Sequence, residues 1–164
     1  MGTGEKKYFK IKSMQFNHHM SRVLLIENDT DDCEVFGWAI KDISEDFKLE
    51  CCNDSTQAAQ KIKEFHPDII FLDIKLPRKN GLEFMEELQA TGTLSGIPIV
   101  IYSSYIYPVD VKEAARLGAK IYFEKPHSYS DLVEGLRDIL CSRSWEGATF
   151  EPRFLRDGAF HPIL

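Results

Sequence analysis

Glu27, Asn28, Asp73, Ser103 and Lys125 are the residues of this chain whose types could do chemistry together. Two carboxylates and an amide oxygen make a hard oxygen site suited to Mg2+, which is ordinarily held by one or two carboxylates with waters and a phosphate. A carboxylate can also attack a phosphoryl group and form an acyl phosphate. A hydroxyl such as Ser103 and an ammonium such as Lys125 would then hydrogen-bond and neutralise the phosphoryl oxygens. In that scheme Asp73 is the nucleophile because it is central, and Glu27 is mainly a metal ligand. Asp29, one place beyond Asn28, is a further ligand in reserve. Taken singly, each residue also has a plainer role. Asp73 and the Ser103-Ser104 pair can form turns, and Glu27-Asn28-Asp29 can open a helix.

Their addresses along the chain bear on the choice. Asp73 ends the apolar run Ile69-Ile70-Phe71-Leu72, which reads as a strand buried on both faces. A strand at 22–26 ends in Glu27-Asn28-Asp29, and Asp29-Thr30 caps a helix with Val35, Phe36, Ala39 and Ile40 on its periodic positions. A second strand covers about 47–52, followed by a helix capped by Asn53-Asp54-Ser55 and stopped by His66-Pro67. Gly81 starts a third helix, and Gly96-Ile97-Pro98 precedes the strand at 99–102. Pro108 opens a fourth helix that Gly118 ends. A strand at 120–124 runs into Lys125-Pro126, and the last helix spans about 128–141. Five βα units in a row predict an α/β fold, a doubly wound five-stranded parallel sheet of order 2-1-3-4-5 with helices on both faces. In that order, residues distant in sequence converge at one rim of C-terminal strand ends, where open α/β sheets bind ligands.

The segments Val23-Leu24-Leu25-Ile26-Glu27-Asn28-Asp29, the Asp73 block with Leu76-Pro77 and Asn80-Gly81, residues 97–104, and Gly118 through Pro126 occur in that order. Over about residues 21–141 the chain thereby resembles the receiver domains of bacterial two-component response regulators. Leu-Pro-Arg-Lys-Asn-Gly at 76–81, Pro108-Val109-Asp110 and Arg116-Leu117-Gly118-Ala119 are most similar to stand-alone receivers of the cyanobacterial phytochrome-regulator kind. The resemblance implies a flavodoxin-like fold in which Asp73 accepts a phosphoryl group from a histidine kinase or phosphotransfer protein with Mg2+. It places Glu27 and Asn28 at the acidic-pair positions and makes the Lys75 backbone carbonyl a metal ligand. It makes Ser103 the switch hydroxyl, Lys125 the phosphate-pairing lysine, Tyr122 the aromatic switch residue and Lys125-Pro126 a cis peptide. One departure stands out: the second acidic position holds Asn28, with Asp29 displaced into the loop. A neutral amide is the weaker ligand for Mg2+, so reduced metal affinity and slower phosphorylation are expected unless Asp29 swings in.

The whole chain sets the remaining bounds. With 164 residues it reads as a flexible leader at 1–20, one domain at 21–141 and an aromatic tail at 142–164, too short for an output domain. A net charge of −6 argues against a nucleic-acid partner. No apolar run approaches the roughly 18 residues of a membrane span, and the leader has no secretory core, so a cytoplasmic protein is expected. Lys6 spoils a myristoylation signal, and His18-His19 reads as solvated leader. The four cysteines form no CxxC, so reduced thiols are expected, with neither zinc nor a disulfide framework. The expected output is an unidentified downstream protein, bound through helix four, strand five and helix five near Tyr105, Ile106, Tyr107 and Tyr122. Apolar and aromatic residues at 105–107 fit either a homodimer contact or packing within their own domain. The tail, with Trp145, Phe150, Phe154, Phe160 and Leu164, is expected to fold back on the domain or dock on a second subunit. No enzymatic activity beyond slow autodephosphorylation is expected. An aspartate-nucleophile phosphatase would usually carry a second Asp where Lys75 stands, and a phosphorylation-independent scaffold has only Asn28 in its favour.

Overall fold

Buried apolar strands alternate with capped amphipathic helices along the chain. The computed structural model describes residues 21–105, 107–141, 153–156 and 159–162. Its elements are β1 (Arg22–Ile26), α1 (Thr30–Ile43), β2 (Lys48–Cys52), α2 (Ser55–Phe65), β3 (Ile69–Leu72), α3 (Gly81–Ala90), β4 (Ile99–Ser103), α4 (Pro108–Arg116), β5 (Ile121–Glu124), α5 (Tyr129–Leu140), β6 (Arg153–Arg156) and β7 (Ala159–Pro162). Four helices begin on a side chain that accepts from their own first turn: Asp29, Asp54, Asn80 and Ser128. Such caps satisfy N–H groups that would otherwise go unpaired, each contributing about 1 kcal/mol. His66 ends α2 in a left-handed conformation, φ 50°, and Pro67 blocks continuation.

The sheet runs β2-β1-β3-β4-β5-β6-β7. Its first five strands are the expected parallel set in the expected order. Register places Ile26 beside Leu72 and Leu72 beside Ile101, so β1 and β3 end together while β4 runs two residues further, to Ser103. Alternation along each strand divides the core in two. Leu24, Ile26, Ile70, Leu72 and Ile101 pack toward Ile62, Met85 and Leu88 on one face. Val23, Leu25, Phe71, Val100 and Phe123 pack toward Phe36, Ile40, Leu136 and Ile139 on the other. This two-sided cover explains why β3 and β4 are buried throughout rather than on alternate residues.

The sheet exceeds the expected five strands by two. β6 pairs in parallel with β5, Phe123 opposite Leu155, and β7 returns antiparallel to β6. Leu155 is buried against the α1/α5 side of the core. Gly135 makes room there: a Cβ on it would lie 2.6 Å from the Phe123 ring and 3.4 Å from Leu155 Cδ2. Four-residue strands such as Arg-Phe-Leu-Arg carry too little alternation to read from sequence. The leader at 1–20 and the tail residues Trp145, Phe150 and Leu164 lie outside the described residues, as does Ile106.

Three expectations need correction. Cys33 and Cys51 are joined in a disulfide, Cα–Cα 6.3 Å, instead of being reduced thiols. The packing of α1 against β2 brings together two residues whose spacing in sequence gives no hint of contact. The Lys125–Pro126 bond is trans, like every other described peptide bond. The trans form is the intrinsically favoured one even before proline, by about 0.5–1 kcal/mol. Tyr122 is 1% exposed and belongs to the core rather than to an outer surface, because β5 has a strand on either side and helices over it. No helix among the described residues is long and apolar enough to cross a membrane.

Candidate functional site

The strand ends set the acids. The Glu27 amide donates to the Cys52 carbonyl and the Asp73 amide to the Ile26 carbonyl, each at 3.0 Å, while the Lys125 amide donates to the Ser103 carbonyl at 2.9 Å. The parallel ladders therefore continue one residue past the strands and fix the backbone of each side chain at the rim. Glu27, Asp73 and Ser103 are buried, at 1%, 6% and 1% exposure.

Buried carboxylates persist only where charge or hydrogen bonds meet them. The Lys125 ammonium does this, donating to Glu27 Oε2 at 2.5 Å, Asp32 Oδ2 at 2.7 Å and Asp73 Oδ2 at 3.2 Å. The second oxygen of each buried acid is tied to its own loop. Glu27 Oε1 accepts from the Asp29 amide at 3.0 Å, and Asp73 Oδ1 accepts from the Lys75 amide at 3.2 Å. Burial pushes the Glu27 carboxyl up to about 7, against the opposing pull of its hydrogen bond to Lys125. Burial pulls the Lys125 ammonium down, but hydrogen bonds to Asp32 and Glu27 outweigh it and hold the group above the ordinary lysine range. Lys125 is thus charged at any physiological pH.

Of the other expected residues, Ser103 meets the Tyr122 hydroxyl, and that hydroxyl donates to the Tyr105 carbonyl at 2.9 Å. Burial raises the Tyr122 phenol above its ordinary range, so it stays a donor. Asn28 is exposed. Asp29 does not enter the pocket; its Oδ1 accepts from the amides of Asp31 and Asp32 at 2.9 and 3.2 Å and caps α1. The Lys75 side chain turns away from the acids, its ammonium 3.4 Å from the centroid of the Tyr105 ring, which stacks with Tyr107.

Two residues escaped the sequence reading. Asp32, not singled out there, reaches Lys125; its place in the first turn of a helix opening at the rim is the signal that could have found it. Gly81 is the other. A Cβ on it would sit 2.2 Å from the Asp73 carbonyl oxygen, so only glycine lets α3 start this close to the acceptor loop.

No group of three or more His, Cys, Asp or Glu among the described residues is arranged to hold a metal ion by itself. The donor chemistry fits Mg2+ all the same, since that ion takes one or two carboxylates and keeps several waters. Glu27 and Asp73 are two hard oxygen donors beside each other on adjacent strands. With Asp32 they outnumber the single ammonium among them, which leaves a net negative pocket.

Comparison with known proteins agrees with this geometry. The family described as the response regulator receiver domain matches residues 23–137. The DNA-binding response regulator MtrA of Mycolicibacterium paratuberculosis is 32% identical over 116 residues, covering 71% of this chain and 49% of that protein. A protein-glutamate methylesterase/protein-glutamine glutaminase 2 of Saccharophagus degradans is 33% identical over 111 residues, covering 61% of this chain and 31% of that protein. The chain spans about half the length of the first of these relatives and less of the second. Among solved structures, the phosphorylated cyanobacterial phytochrome response regulator RcpA is similar with a TM-score of 0.66 and 26% identity, over 74% of this chain and 94% of that one. The Mn(2+)-bound form of response regulator Rcp1 is similar with a TM-score of 0.64 and 25% identity, over 79% and 98%. A family match across the whole βα core, on a sheet of the same strand order with an acid at the end of β3, leaves one conclusion: the chain belongs to the response regulator receiver domain family.

Proposed function

We propose that Asp73 is the phosphoacceptor of a two-component switch working in the cytoplasm, charged by a histidine kinase or a phosphotransfer protein. The observation that carries this reading is the Lys125 ammonium held on Asp73 and Glu27 at the ends of three strands. An Asp73 carboxylate oxygen attacks the phosphorus of a phosphohistidine. The P–O bond of an acyl phosphate forms and the P–N bond breaks, its electron pair going to the imidazole nitrogen, which takes up a proton. Lys125, already on Asp73 Oδ2, pairs with a phosphoryl oxygen, and Ser103 donates its hydroxyl to another. Glu27, Asp73 and the Lys75 carbonyl would hold Mg2+, which supplies neutralisation of the phosphoryl charge when bound. The Mn(2+)-bound form of Rcp1 supports a divalent cation in this fold.

The switch follows from the hydrogen bonds. A phosphoryl group that draws Ser103 takes it from Tyr122, and Tyr122 is bonded to the backbone of Tyr105. Phosphorylation would therefore bias the segment carrying the exposed Tyr105 and Tyr107, and through it a protein partner or a second copy. The alternative, a scaffold indifferent to phosphorylation, has Asn28 in its favour and Asp73, Ser103 and Lys125 against it.

Mass spectrometry after acetyl phosphate and Mg2+ tests the reading. One phosphoryl group is expected on the native protein and none on Asp73→Asn; equal labelling of both would exclude Asp73 as acceptor.

A further inference from the structure

The pocket lacks an acid where Asn28 stands, and the residue next in line cannot make it good. Asn28 is neutral and exposed. Asp29 is occupied as the cap of α1, and withdrawing its Oδ1 would strand the amides of Asp31 and Asp32. Asp32 is placed differently. It shares the Lys125 ammonium with Glu27 and Asp73, at 2.7 Å, and its side chain is 41% exposed where theirs are buried. It therefore stands on the water side of the pocket, within reach of the same cationic centre. Its neighbour Asp31, in the same first turn, makes no such contact with Lys125 among the described residues. An acid serving only the helix dipole would have no need to reach Lys125.

We propose that Asp32 is the second acidic ligand of the cation site, directly or through a water, supplying from the first turn of α1 the carboxylate that Asn28 lacks. This rests on the phosphoacceptor reading above and adds to it. Charge supports the assignment. With Glu27 ionised, Glu27 and Asp73 against Lys125 leave one net negative charge; Asp32 makes it two, which matches a divalent ion. An oxygen that pairs with an ammonium is also a hard donor, and Mg2+ accepts few protein ligands, keeping water in its other positions. A carboxylate at the solvent side suits such a partly hydrated ion.

The test is Mn2+ binding by the full chain with no phosphodonor, read as free Mn2+ by electron paramagnetic resonance and as heat by calorimetry. Asp32→Asn should weaken Mn2+ about tenfold, equivalent to about 1.4 kcal/mol, and Asn28→Ala should change it little. Asn28→Asp placed in the Asp32→Asn protein should restore the affinity. Affinity of Asp32→Asn within twofold of native overturns the proposal and leaves the phosphoacceptor reading standing, provided acetyl phosphate still labels Asp73. A loss that Asn28→Asp does not rescue also overturns it, because Asp32 would then only position Lys125. Failure of the native protein to take up either Mn2+ or a phosphoryl group overturns both.

Discussion

Glu27 lies at 1% exposure with a carboxyl raised to about 7, which makes it the most costly charge at the site. In the unfolded chain the same group ionises near its ordinary value of 4.5. Between those two values the folded state holds a proton that the unfolded state has released, so Glu27 lowers stability as pH rises through that window. Above about 7 the penalty is complete, and it is on the order of 3 kcal/mol. Replacing Glu27 with Gln should remove this slope. Denaturant unfolding at pH 5 and pH 7.5 should show the Glu27→Gln protein gaining on the native one at the higher pH; a constant difference would contradict the assignment. At this scale much of the site was legible. Asp73 and Lys125 each follow a buried strand directly and Ser103 is the last residue of one, and a strand's end is visible in sequence. Asp32 was not, because an acid in a helix's first turn has an adequate local explanation in the dipole, and only the placing of β5 beside β4 in the same sheet as β1 brings Lys125 to it.

Elements position the site by where they stop. Asn80 caps α3 while Gly81 lets that helix begin against the Asp73 carbonyl, and Asp29 turns the chain from β1 into α1. These junctions were readable, since caps, glycines and prolines act locally. Contacts between elements were less so. The Cys33–Cys51 bond joins α1 to β2 across a separation of 18 residues, and nothing in the spacing announces it. Disulfides are rare in reducing cytoplasm, which gives the bond a direct check. Thiol titration of denatured, unreduced protein should find two free cysteines, Cys52 and Cys141, and four after reduction. Four at the outset would mean the pair stays reduced.

At the scale of all the described residues, the fold is a receiver sheet extended by one more parallel strand and a returning hairpin strand. Most of the fold class could be read because the five βα units keep strict order. The extension could not, because its strands are short and their partner, the outer edge of β5, is fixed only by tertiary packing. With β6 in place, β5 is an interior strand and its edge is closed to other chains. Tyr105, Tyr107 and Val109, at and just before the start of α4, remain as exposed apolar surface. The extension should also contribute to stability. Leu155→Ala removes a side chain only 1% exposed and is expected to cost about 2–4 kcal/mol in denaturant unfolding, while phosphorylation of Asp73 persists. An unchanged unfolding midpoint would show the strand to be undocked in solution.

The parallel pairing of β6 has a further consequence during synthesis. Phe123 and its partner Leu155 are separated by 32 positions, and chains are made at about 5–20 residues per second. The five-stranded core can close as it leaves the ribosome, yet for some seconds β5 waits with its outer edge uncovered. That interval is when the nascent chain is most open to pairing with a neighbour on the same message, and the arrival of β6 ends it.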